Sequence, residues 1–161
     1  MSAKKESHFG RVAELEEKKK EEEAKITEEM EDVIAKTRNW VIATATADGI
    51  PNVVPMAYAK VLSKNRLVLG DFYLSKTKTN LLTNPHIAVS VWDPETKKGY
   101  QFKGTAQIET SGAIFDEAVV MARQKGGKTA PKSAVVIDVR EIYVITPGAD
   151  AGKKVSGAAV W

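Results

Sequence analysis

The chain has 161 residues, with 24 Lys and Arg against 21 Asp and Glu, and 43% of it is apolar. One domain is expected, large enough to bury a core without a metal or disulfide staple. The absence of cysteine excludes disulfides, thiolate nucleophiles, iron–sulfur clusters and Cys-type zinc sites, and two histidines leave little for a histidine metal site.

No apolar run approaches the ~18 residues of a membrane span, and Met1 to Arg11 has no apolar signal core. A cytoplasmic protein with no membrane partner is expected. Residues 1–39 hold 9 basic and 11 acidic side chains, whereas residues 40–161 hold 15 and 10. The basic excess belongs to the body. It is small and comes without an RRM, KH, zinc-finger or helix-turn-helix signature, so no nucleic-acid partner is expected.

Residues 6–25 are mostly Glu, Lys and Ala, with Glu14–Lys18, Glu16–Lys20 and Glu21–Lys25 at favourable i,i+4 spacing. A helix is predicted with no apolar stripe beyond Leu15, hence solvated, unless Phe9, Val12 and Leu15 meet a partner subunit. Thr27 can cap the next helix, whose first turn holds Glu28 and Glu29 and whose apolar face is Met30, Val33, Ile34 and Thr37.

From Trp40 the period falls to two, and a strand runs to Thr46. Asp48-Gly49 turns the chain into a second strand over residues 51–58. Pro51 and Pro55 mark that strand as an edge or a place where backbone serves something besides pairing. Lys64-Asn65 turns into a third strand, Arg66 to Phe72. A short helix from Ser75 to Thr83 stops at Asn84-Pro85. Strands four and five follow over His86–Trp92 and Lys98–Glu109. Residues 113–124 form a helix with Ile114, Phe115, Ala118, Val119 and Ala122 on one face. A last strand occupies residues 133–146. Six mainly antiparallel strands with short helices in one small domain close most readily into a barrel.

The segment Ser75-Lys76-Thr77-Lys78-Thr79 sits at a helix N-terminus directly after a strand. Free N–H groups and the helix dipole attract an anion there, two lysines add charge, and the hydroxyls add donors. The pattern suits one terminal phosphate monoester. Ala122 to Thr129 resembles a relaxed P-loop, but a helix precedes it and a strand follows, so it reads as a mobile Gly/Lys loop. No triad or nucleophile elbow is present, and His86 reads as structural. Any chemistry falls to a bound cofactor.

From about Ile26 to Pro147 the chain resembles the pyridoxamine 5'-phosphate oxidase-like, FMN-binding split-barrel family. The resemblance rests on the opening strand and turn from Trp40 through Asp48-Gly49 to Pro55-Met56. It rests also on the block from Leu69-Gly70-Asp71-Phe72 through Ser75-Lys76-Thr77 to Asn84-Pro85-His86, and on Gly99-Tyr100-Gln101-Phe102-Lys103-Gly104. It implies a six-stranded split β-barrel and a homodimer with flavin at the subunit interface. By the same resemblance Ser75, Lys76 and Thr77 bind the FMN phosphate. Val54, Pro55, Met56 and Ala57 run beside the isoalloxazine ring and offer backbone groups, and Gly70 and Asp71 line the site. Asn80, one turn on from Lys76, faces the same anion.

The chain departs from the true pyridoxamine phosphate oxidases. They carry Arg where Val54 stands, an Arg-Lys pair where Lys76-Thr77 stands, and an Arg- and His-rich C-terminal segment with no counterpart here. FMN binding with oxidoreductase or electron-transfer activity is expected, and vitamin B6 oxidation is not. The alternatives are a deazaflavin, for whose acidic tail Lys125, Lys128 and Lys132 could furnish a basic groove, a haem, or a non-enzymatic flavin-binding module. The chain divides into a charged helical extension (1–26), a split-barrel domain (27–147) and a Gly/Ala-rich tail (148–161). Trp161 could fold over the flavin, or the tail could simply be disordered.

Overall fold

The computed structural model describes residues 8–158. Helix α1 (His8–Glu22) leads to α2 (Glu28–Lys36), and the rest is β-rich. In α1, residues 10–18 are all exposed, including Val12 and Leu15. In α2 the Thr27 side chain accepts the Met30 N–H at 3.3 Å, and Met30, Val33 and Ile34 are buried, as periodicity and capping predict. The Thr37 hydroxyl lies 2.8 Å from the Val33 carbonyl and 2.9 Å from that of Trp92, which joins the helix end to the sheet.

The strands are β1 (Trp40–Ala45), β2 (Pro51–Met56), β3 (Ala59–Ser63), β4 (Arg66–Asp71), β5 (His86–Trp92), β6 (Gly99–Glu109), β7 (Ser133–Val144) and β8 (Lys154–Ser156). Helices α3 (Ser75–Thr83) and α4 (Ala113–Gln124) lie between them. All pairings are antiparallel, in the order β2-β1-β5-β6-β7-β4-β3, with β8 added to β7. The two terminal strands of that order, β2 and β3, are consecutive in sequence. The sheet must therefore curl round until they meet, and it is closed by the covalent link Ala57-Tyr58. The result is a mainly β split barrel.

Two strands exceed the six read from the sequence. Residues 51–58 do not form one strand with a loop behind it. They stop at Met56, the chain swings across the split, and β3 pairs with β4 instead. The Gly/Ala-rich tail carries β8, and Ser156 Oγ accepts the Lys25 N–H at 2.8 Å. Trp161 and the Phe9 side chain lie outside the described residues.

Trp40 and Ile42, Leu67 and Leu69, Ile87, Val89 and Val91, Phe102, and Ile137 and Ile142 fill the barrel. Burial of each such side chain contributes about 1.5–3 kcal/mol. A bulge at Lys103/Gly104 bends β6 over β7. A Cβ at Gly104 would overlap the Asp138 carbonyl oxygen, so only glycine allows this close approach. On the outside, α4 covers β4 and β7 through Ala118 and Met121 against Val68 and Ala134. The outer face of β1, β5 and β6 carries half-buried small residues, among them Ala43, Ala45, Ala88 and Ser90.

Candidate functional site

The site grows from the junction of β4 and α3. Asp71, 3% exposed, ends β4 and is bonded on every side. Its Oδ1 accepts the Leu74 N–H at 3.0 Å, and its Oδ2 accepts the Ser133 hydroxyl at 2.8 Å. Lys78 Nζ lies 3.5 Å from Oδ2, and the Asp71 carbonyl accepts the Lys132 N–H at 2.7 Å. Asp71 is thus a peg that holds the turn into the helix against β7.

Beyond that peg, α3 starts at Leu74 with no side-chain cap and no acid in its first turn. Ser75 and Lys76 are exposed. Lys78 is engaged by Asp71, whereas among the described residues Lys76 is in none of the ion pairs. At this helix start the Leu74 N–H is taken by Asp71 Oδ1 and the Ser75 N–H donates to the Tyr73 carbonyl at 2.8 Å, so the N–H groups of Lys76 and Thr77 and the Lys76 ammonium are what it can offer to an anion.

The inner side of α3 is polar as well. The Asn52 amide on β2 donates to Thr77 Oγ1 at 3.1 Å and to Thr44 Oγ1 at 3.3 Å, and the Asn80 amide donates to the same Thr44 oxygen at 3.0 Å. Thr44, Thr77 and Asn80 are all buried. This knot ties the helix to β1 and β2 and sets how far its N-terminus stands from the β2 edge. Thr77 and Asn80, expected to face the anion, direct their side chains into the knot. Ser75 and Lys76 are the two whose side chains stand at the surface.

On β2, Thr46 N–H donates to the Ile50 carbonyl at 2.9 Å, which makes them a hydrogen-bonded pair. Alternation along the register makes Asn52, Val54 and Met56 bond to β1 and turns Pro51, Val53 and Pro55 outward. The prolines sit where no ladder N–H is required. Val53 is the donor on the outward edge, flanked by proline carbonyls. Val54 and Met56 pack inward on the core.

Beyond Met56, the link residues join the same region. Gly70 N–H donates to the Tyr58 carbonyl at 2.8 Å, and the Tyr58 and Phe72 rings sit 4.6 Å apart. A Cβ at Gly70 would meet Tyr58 and Met121 at ordinary contact distance, so this glycine is no cradle for a ligand. Lys125 Nζ donates to the Ala57 carbonyl at 3.2 Å, and burial pushes its ammonium pKa down. The Gly/Lys loop is therefore anchored to the site. It follows α4 and precedes β7, as the reading against a P-loop required.

Two grooves flank α3. One of about 420 Å³ is lined by Asp71, Tyr73, Ser75, Lys78, Thr79 and Lys132 among others. Another of about 410 Å³ lies over Ala43, Ala45, Ala88, Asn84, His86 and Lys103. Among the described residues no group of His, Asp or Glu is placed to hold a metal ion, and no helix is long and apolar enough to cross a membrane. The region can hold an anion and present backbone groups to a flat ligand. Sequence reasoning gave Thr44 and Asn52 no role of their own, although both lie in the strands that carry the resemblance, because they act only after β1 and β2 have paired.

A family model for pyridoxamine 5'-phosphate oxidase matches residues 26–147. The chain belongs to this family. It is 37% identical over 136 residues to an uncharacterized protein of Methanocaldococcus jannaschii, covering 82% of this chain and 89% of that one. HupZ of Group A Streptococcus is 32% identical, with 79% of this chain and 99% of HupZ covered and a TM-score of 0.70. An FMN-binding protein of Syntrophomonas wolfei shares the fold at 16% identity, with a TM-score of 0.65 over 88% of this chain and 96% of that one.

Proposed function

We propose that this member of the pyridoxamine 5'-phosphate oxidase family is an FMN-binding flavoprotein with oxidoreductase or electron-transfer activity. The observation that carries the reading is the start of α3, whose N-cap Leu74 offers no side-chain oxygen, with Lys76 in none of the ion pairs among the described residues and the outward edge of β2 beside the same helix. The Ser75 hydroxyl and the Lys76 ammonium would hold the phosphate, with the N–H groups of Lys76 and Thr77. The β2 edge, through Val53 and the Pro55 carbonyl, would orient the ring, and Asp71, through Leu74 and Ser133, would hold the start of α3 in place. When bound, FMN supplies electron or hydride transfer, and the chain supplies binding, orientation and electrostatics. The FMN-binding relative from Syntrophomonas wolfei supports the choice of ligand.

The pyridoxamine phosphate oxidase reaction itself is not part of the proposal. Val54 stands where those enzymes carry an arginine and packs inward, with no charge to offer a second phosphate. We also propose a homodimer. The small side chains Ala43, Ala45, Ala88 and Ser90 leave the outer face of β1, β5 and β6 flat enough for a second copy, with flavin between the two.

An absorption spectrum of the purified protein, followed by identification of the released chromophore, tests the reading. Two visible flavin bands and released FMN support it. A single shorter-wavelength band would assign a deazaflavin, a Soret band a haem. A colourless protein that also refuses added FMN would overturn it. Sedimentation equilibrium tests the dimer, and a monomer with full FMN affinity would overturn an interfacial site.

A further inference from the structure

We propose that Lys125 is an electrostatic positioning residue of the cofactor site, where its ammonium, held on the Ala57 carbonyl, favours reduced over oxidised FMN. The inference rests on the FMN reading above and goes beyond it to the control of reduction potential.

Lys125 is the C-cap residue of α4, where a lysine would ordinarily lie along its own helix end. Its side chain instead reaches a residue 68 positions away and donates to Ala57 at 3.2 Å. The loop leaves it little choice of course. Gly126 has φ +84°, and Gly127 N–H closes on the Ala122 carbonyl at 2.7 Å. A Cβ on Gly127 would lie 2.8 Å from that carbonyl and 3.4 Å from the Tyr58 ring. Two alternate residues of the loop, 125 and 127, thus sit on the two consecutive residues of the link, 57 and 58.

The ammonium has no carboxylate there. Lys125 is in none of the ion pairs among the described residues, and burial alone accounts for the downward push on its pKa. The residue is exposed, so the ammonium at the Ala57 carbonyl is open to an anion brought beside it. Ala57 closes the strand segment that the FMN reading places along the ring. Oxidised flavin is neutral at the ring, whereas the two-electron-reduced ring carries negative charge at neutral pH. The positive charge at Ala57 therefore discriminates between them. A unit charge within about 10 Å of the ring would, at an effective dielectric of about 20, shift such an equilibrium by about tenfold or more.

The test compares the unaltered protein with Lys125→Gln, Lys125→Met and Lys125→Arg, each loaded with FMN. Glutamine keeps an N–H donor for Ala57 without the charge, methionine keeps only the stem, and arginine keeps the charge. Affinity for oxidised FMN should stay within about twofold in all four, with thermal unfolding as the check on folding. Lys125→Gln and Lys125→Met should both bind reduced FMN about tenfold less tightly relative to oxidised, which is about 30 mV downward for a two-electron couple. Lys125→Arg should match the unaltered protein. An unchanged potential in Lys125→Gln, with FMN still bound, would overturn this inference alone, and a shift in Lys125→Met but not in Lys125→Gln would reduce Lys125 to a pin for the link. Failure of the unaltered protein to bind FMN would overturn the FMN reading and this inference together.

Discussion

Asn52 Nδ2 lies 3.1 Å from Thr77 Oγ1, and this contact joins the edge strand of the barrel to the helix that opens the proposed anion site. The same amide reaches Thr44, so one side chain satisfies two buried hydroxyls on two elements. A buried knot of this kind rigidifies when complete and is costly when one member is removed.

Asn52→Ala should therefore destabilise the protein by about 1–3 kcal/mol, since it leaves the buried Thr77 hydroxyl without its partner while Thr44 keeps only the Asn80 amide. Urea unfolding of Asn52→Ala, Thr77→Val and the double variant checks it. The pair should be non-additive by about 0.5 kcal/mol or more. Strict additivity would show that the contact carries no energy.

Lys76 and Thr77 should separate in ligand binding. Lys76→Ala should weaken FMN about tenfold to a hundredfold and leave riboflavin within about twofold, because a charge-assisted bond to phosphate is worth about 1.5–3 kcal/mol. Thr77→Ala should weaken both ligands alike, since its hydroxyl holds Asn52 rather than solvent. Fluorescence titration with the two flavins decides. Equal losses with Lys76→Ala would remove the phosphate from the α3 terminus.

Asp71→Ala should cost about 2–4 kcal/mol by leaving the Leu74 N–H and the Ser133 hydroxyl without their acceptor. Hydrogen exchange should accelerate first at Leu74 and along the first turn of α3. Ser133→Ala, which removes one bond and leaves the peg in place, should cost less. The reverse order would show that Asp71 is not the peg.

Asp93 should shape the acid limb of stability. The Thr96 hydroxyl above all, then the Glu95 N–H and the Lys36 ammonium, hold its carboxyl below the ordinary 3.8. A group depressed in the folded state stabilises above its unfolded pKa, about 3.9, and that contribution is lost as pH falls through the lower folded value. Melting temperatures of the protein and of Asp93→Asn should differ at pH 6 and draw together only as the pH falls from about 4 through the lower folded value. Parallel curves would show that the Asp93 charge is not involved.

Much of the frame was legible in the chain itself. The apolar positions of α2, the alternation of β1 and β5, the apolar run of β7 and the turn at Asp48-Gly49 are local patterns that burial is enough to realise. The helix start at Ser75-Lys76 was legible for the same reason, because a terminus carries its own dipole and its own free N–H groups. β3 and β8 were not. β3 is only half-buried and β8 more exposed still, so neither shows a clear period, and each exists because a long strand, β4 or β7, offers it an edge.

The sequence by itself determined the class of fold and the place where an anion would be drawn. Only the tertiary structure decided that Thr77 and Asn80 turn inward to Thr44 and Asn52, and that Lys125 comes to rest on Ala57. Those contacts join residues 25, 36 and 68 positions apart. No local pattern encodes them. They follow from strand register and from closure of the barrel through the Ala57-Tyr58 link, which bring distant side chains within hydrogen-bonding reach.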